Sequence, residues 1–192
     1  MVNISVLVSG GGTNLQAIID KIQTGDLAGA QIVQVISSRE GVFALERAEK
    51  AGIKGKVVKD TESLLAELAA ENTELVVLAG YMKVLEPAVI QAYRQRILNI
   101  HPSLIPKYCG KGFYGKRVHQ AVIDAGETVS GATVHFVDEG VDTGEIILQR
   151  QVPVEPGDTA DTLAARVLET EHVIFTEGIQ KVIQQLEKKG GK

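Results

Sequence analysis

Short β-branched and aliphatic runs recur through the first hundred residues, at 4–9, 32–36, 56–58, 75–79 and 97–100, each followed by a stretch with a different rhythm. No other feature constrains the fold as tightly. Strands apolar on both faces that alternate with helices imply a parallel sheet covered on both sides. The intervals are helical. Leu15, Ile18, Ile19 and Ile22 fall at helical spacing after Asn14, a candidate N-cap, and 43–51 and 62–71 follow suit. Pro87 stands where a first-turn proline opens a helix to about residue 93.

The rest of the chain reads differently. Residues 101–115 hold two prolines and three glycines without periodicity, which predicts a long loop. A helix is expected over 118–125. Strands are expected over 133–137 and 145–152, joined by a link of hairpin length, with a long amphipathic helix over 162–186 and a solvated tail over 188–192. The predicted class is α/β: a single-domain Rossmann-like fold, with a mostly parallel sheet, helices on both faces and an antiparallel C-terminal extension.

Composition narrows the function. One cysteine, Cys109, permits no internal disulfide, and no apolar run nears the roughly 20 residues of a membrane span. A net charge of −4 and 4% aromatic residues argue against a nucleic-acid binder. The expectation is a cytoplasmic protein acting on small molecules, with neither nucleic acid nor membrane as partner.

Two motifs carry chemistry. Ser9-Gly10-Gly11-Gly12-Thr13-Asn14 joins the first strand to the first helix, where free N–H groups and the helix dipole favour an anion. The dinucleotide fingerprint wants glycine where Leu15 stands and an acid where the second strand ends in Ser37-Ser38-Arg39, and no Walker lysine follows. A phosphate monoester fits this loop better. Asn99 and His101 lie two apart at the end of the fifth strand, so both point to one face, at the end of the sheet where such folds bind ligands. An amide beside an imidazole can stabilise an oxyanion and handle a proton. Asp142, framed by Gly140 and Gly144, is a candidate partner that would raise the pKa of His101, in competition with Asp138 and Glu139. Lys107, Lys111, Lys116 and Arg117 form a basic cluster beside the same loop, able to draw in anions. The four histidines show no i,i+4 pair, so no metal site is expected.

Ser-Gly-Gly-Gly-Thr-Asn-Leu-Gln-Ala-Ile from Ser9, Leu-Ala-Gly-Tyr-Met from Leu78, Leu-Asn-Ile-His-Pro-Ser-Leu from Leu98 and His-Phe-Val-Asp-Glu-Gly-Val-Asp-Thr-Gly from His135 stand in this order. With them the chain resembles the folate-dependent formyltransferases, and among these the glycinamide ribonucleotide formyltransferases of purine synthesis. The resemblance implies one formyltransferase domain over 1–192, with a phosphate-binding half (1–100) and a half carrying the folate-site loops (101–192). It implies 10-formyltetrahydrofolate as co-substrate, glycinamide ribonucleotide as acceptor, and Asn99, His101 and Asp142 as the catalytic trio. Gly12, Thr13 and Asn14 would hold the substrate phosphate. Leu168, Glu169, Thr170 and Glu171 would flank the rest of that substrate. Met82, Lys83, Val84 and Leu85, with Asn99, Asp138, Glu139, Gly140, Val141 and Asp142, would line the folate pocket.

Overall fold

A computed structural model describes residues 1–190. Its seven-stranded sheet has the order β3-β2-β1-β4-β5-β6-β7. β1 (Val2–Val8), β2 (Ala30–Ser37), β3 (Gly55–Val57), β4 (Leu75–Leu78) and β5 (Ile97–His101) run parallel, and β6 (Val129–Phe136) and β7 (Ile146–Pro153) are added antiparallel. Helices α1 (Thr13–Gln23), α2 (Phe43–Lys50), α3 (Thr61–Ala70), α4 (Pro87–Ala92), α5 (Lys116–Asp124) and α6 (Ala160–Gly190) cover it.

The central strands β1, β4 and β5 are buried on both faces. Ile4, Val6 and Val8 of β1 join one core with Leu15 and Ile18 of α1 and Phe175 of α6. Leu7, pointing the other way, joins a second core with Leu64 of α3 and Val89 of α4. Helix α6 comes so close to β6 that a Cβ on Gly178 would stand 2.8 Å from Val134 Cγ1. Chain order reverses between β1 and β4, which opens a crevice at the carboxyl ends of the central strands.

Some boundaries differ from expectation. Strand β6 starts at Val129 rather than 133, because the polar Ser130 is buried and paired in the ladder with Val152. Helix α6 runs to Gly190, so most of the expected tail is helical; residues 191–192 lie outside the described residues. The N-cap of α1 is Gly12, at φ 72°, and not Asn14. A Cβ on Gly12 would meet Ala44 Cβ at 2.7 Å, so glycine serves both the left-handed turn and the close packing of α2.

Candidate active site

A cleft of about 710 Å3 opens where β4 and β5 end. Period-two geometry brings Asn99 and His101 of β5 to the same side, and the β6–β7 connection lays Asp142 against them. Asp142 Oδ2 is 3.6 Å from His101 Nδ1, and its Oδ1 is 3.5 Å from Asn99 Nδ2. Asp142 holds φ at 58°, a left-handed conformation seldom adopted outside glycine, asparagine and aspartate and often found at functional positions. The competition among the three acids is resolved. Asp138 accepts from Gly140 N–H and Thr143 hydroxyl, which closes its own turn, and Glu139 pairs with Arg94.

His101 is buried and donates Nε2–H to the Tyr108 carbonyl at 2.9 Å, since a carbonyl can only accept. Its Nδ1 is therefore left to face Asp142. Burial pushes the imidazole below its ordinary pKa. The Tyr108 carbonyl and Asp142 pull it up without overcoming that burial, and His135 adds to the lowering. This reverses the rise expected from the carboxylate alone, because the sequence does not reveal how dry the site is. Burial also pushes the Asp142 carboxyl up, but His135, the Gly110 N–H at 3.0 Å and His101 together hold it below the usual range.

His135 is the residue that sequence reasoning missed. It sits opposite Asn99 in the antiparallel ladder. It donates Nδ1–H to the Phe136 carbonyl at 2.8 Å, which leaves Nε2 to accept from Asn99 Nδ2 at 3.1 Å. Asn99 is thereby fixed with its second amide hydrogen turned to Asp142 Oδ1 at 3.5 Å, and Asp142 lies 3.6 Å from the same ring. The strand register that makes this pair is invisible in a single sequence; its one trace was that His135 opens the motif ending at the Asp142 loop.

The cleft continues to Glu171 of α6. Glu171 is 8% exposed and accepts from Asn14 Nδ2 at 2.8 Å; burial pushes its carboxyl up to about 7, against the lowering pull of Asn14. Met82, Val84 and Val141 line the cleft with apolar side chains left 46%, 76% and 41% exposed. Such a wall suits a flat apolar ligand surface. His119 of α5 also lines it, with Nδ1 buried and without a partner among the described residues.

Residues 2–179 match the formyl transferase family. A phosphoribosylglycinamide formyltransferase of Haemophilus influenzae is 42% identical over 194 residues, covering 93% of this chain and 89% of the relative. The chain belongs to the phosphoribosylglycinamide formyltransferase family. A solved structure of glycinamide ribonucleotide transformylase 1 from Symbiobacterium toebii superposes with a TM-score of 0.90 at 40% identity, covering 96% of this chain and 89% of that one. The chain also matches a trifunctional purine biosynthetic protein of Drosophila pseudoobscura pseudoobscura at 45% identity, but spans only 13% of its length.

The formyltransferase fold brings most of the expected residues together. Asn99, His101 and Asp142 meet, and Met82, Lys83, Val84, Leu85, Asp138, Glu139, Gly140 and Val141 all line the cleft, as do Leu168 and Glu171. Glu169 and Thr170 do not, because one helical turn cannot present four successive residues to one side. Gly12 and Thr13 lie outside it, at the start of α1. No side chain caps that helix, and the first intrahelical bond is from Gln16 N–H to the Gly12 carbonyl, so the N–H groups before Gln16 stay free for an anion. Asn14 lines the cleft and gives one amide hydrogen to Glu171 at 2.8 Å. The basic cluster is partly neutralised: Lys107 pairs with Glu127 and Lys116 with Asp161, while Arg117 stacks over Tyr114.

Proposed function

We propose that this chain transfers a formyl group from 10-formyltetrahydrofolate to the primary amine of glycinamide ribonucleotide, a step of de novo purine synthesis. One observation carries the reading: Asn99, His101 and Asp142 converge on one cleft that also reaches Glu171. The family supports the substrates. The folate ring would rest on the apolar wall of Met82, Val84 and Val141, with its polar edge on the Asp138–Asp142 backbone. The ribonucleotide phosphate would sit on the free amides at the start of α1. Glu171 would hold the glycinamide end, since a carboxyl titrating about neutrality can accept from an amine.

The reaction then follows from the geometry. The neutral amine attacks the formyl carbon and forms the new C–N bond, leaving negative charge on the formyl oxygen. Asn99 offers that oxygen the amide hydrogen not given to His135, which the long 3.5 Å contact with Asp142 holds only weakly. His101, with Nε2–H tied to Tyr108, takes on Nδ1 the proton shed by the attacking nitrogen and becomes a cation beside the oxyanion. Asp142, 3.6 Å away, stabilises that cation. Donors placed at a developing oxyanion are commonly worth about 3 kcal/mol each. The C–N10 bond breaks with its electron pair on N10, and His101 passes the same proton on to N10, returning to its neutral form. The phosphate grip, remote from the chemistry, positions the amine.

The test compares acceptors. Purified protein with 10-formyltetrahydrofolate should release tetrahydrofolate quickly when glycinamide ribonucleotide is present and very slowly with water alone. Equal rates would make it a hydrolase of the formylfolate and overturn the reading.

A further inference from the structure

His101 and Asp142 are each held from behind by the backbone of one short segment. The Tyr108 carbonyl accepts from His101 Nε2 at 2.9 Å, and two residues on the Gly110 N–H donates to Asp142 Oδ2 at 3.0 Å. The segment is bent tightly, with φ of 52° at Tyr108 and 87° at Gly110, and it borders the cleft through Gly110. Left-handed backbone at a non-glycine residue persists only where the surroundings enforce it. The enforcement comes from outside the cleft. Glu127, in the turn between α5 and β6, accepts from the Tyr108 hydroxyl at 3.0 Å and from Lys107 Nζ at 2.7 Å, through the same carboxylate oxygen. The Tyr108 ring meets Phe113, a residue of the cleft wall, edge to face at 6.2 Å.

We infer that Glu127 and the Tyr108 side chain form a positioning brace that sets the orientation of His101 and Asp142 for formyl transfer. Glu127 does not line the cleft and touches no reacting atom. Its side chain fixes Tyr108, the Tyr108 backbone carbonyl fixes the imidazole tautomer, and Gly110 fixes the carboxylate. Supporting contacts of this kind hold a site within the narrow geometric tolerance that catalysis needs. The inference rests on the roles proposed above for His101 and Asp142. It adds two residues that neither glycines nor motif spacing single out.

The brace is tested in the full chain with Tyr108→Phe, which removes one hydroxyl and keeps the ring, and with Glu127→Ala and Glu127→Gln. The Gln variant keeps an acceptor for the Tyr108 hydroxyl. Losing an organising hydrogen bond should lower kcat about tenfold in Tyr108→Phe and Glu127→Ala. The KM for the ribonucleotide should stay within about twofold, because its proposed grip is on α1. Glu127→Gln should recover most of kcat. The imidazole pKa of His101, followed by NMR, should fall in the two impaired variants, because the supporting carbonyl loosens. Asp142, His135 and His119, the other groups facing that ring, are unchanged throughout. A parental kcat and His101 pKa in Tyr108→Phe overturn the brace. So does a loss that is equal in Glu127→Gln and Glu127→Ala. A parent chain that transfers no formyl group sinks the proposed function instead, and the His101 titration then still decides on the brace.

Discussion

Asp142 concentrates the site's chemistry in one side chain. It faces two imidazoles at 3.6 Å each, accepts one backbone N–H and tolerates φ of 58°. Asparagine is the replacement that tests its charge alone, since it has the same shape and also accepts left-handed backbone. Asp142→Asn should melt within a few degrees of the parent and lose kcat by about a hundredfold or more, because the carboxylate that supports charge on His101 is then gone. A folded variant with nearly normal kcat would falsify the role. At this scale the sequence was legible where residue type and spacing coincide. Asn99 and His101 share a face by strand period, and Asp142 stands in a glycine-framed turn. Two kinds of fact were hidden. The contact of His135 with Asn99 depends on the register of two strands, and the lowered pKa of His101 depends on burial contributed by the whole fold.

Elements decide what the side chains meet. The parallel strands at the centre of the sheet and their helices were readable from apolar runs alone, since strands buried on both faces can tolerate little else, whereas β3 is an exposed edge of Gly55, Lys56 and Val57. The glycine loop was readable as a strand-to-helix turn, but the contact of Asn14 with Glu171 was not, because that partner comes from a helix 157 residues away in sequence. That contact between α1 and α6 yields a pH prediction. Glu171 is 8% exposed and its carboxyl is pushed up to about 7, against roughly 4.3 in an unfolded chain. The folded state therefore holds a proton that the unfolded state releases across this window. The stabilisation is full below about pH 4 and is lost as pH rises to about 7, by about 4 kcal/mol. Glu171→Gln mimics the protonated form and keeps an acceptor for Asn14. Without ligands, its Tm relative to the parent should rise by roughly 5–10 °C between pH 5 and pH 8. A difference that stays constant across that range would show that Glu171 titrates in its ordinary place.

On the scale of the whole molecule, α6 ties the two halves of the sheet together. It packs on α1 and on α5, covers β6 and β7, and brings Leu168 and Glu171 to the cleft. Its amphipathic pattern was plain in the sequence. Its anchorage was not, because that is made by polar residues in the link from β7. Arg166 donates to both oxygens of Asp158, at 2.6 and 3.0 Å, and to the Pro153 carbonyl at 3.0 Å. Asp158 also accepts from Glu155 N–H and the Thr162 hydroxyl, each at 2.7 Å. The first turns of α6 are thus fastened to the end of β7 by one carboxylate, whose side chain is only 5% exposed. Arg166 foremost, then the Glu155 N–H and the Thr162 hydroxyl, hold its pKa far below the usual carboxylate range. A depressed carboxyl stabilises the fold at pH values above its unfolded pKa of about 3.9, and this contribution fades as acid protonates it. Asp158→Asn keeps the shape and gives up the charge. Its Tm should lie below the parent's at pH 7, and the gap should narrow steadily below about pH 4, where the parent's carboxylate also begins to lose its advantage. Neither Asp158 nor Arg166 lines the cleft, so kcat measured well below Tm should be unchanged. A gap of the same size at pH 7 and at pH 3 would mean that the pair fastens α6 by shape and hydrogen bonding alone, and that its charge contributes nothing.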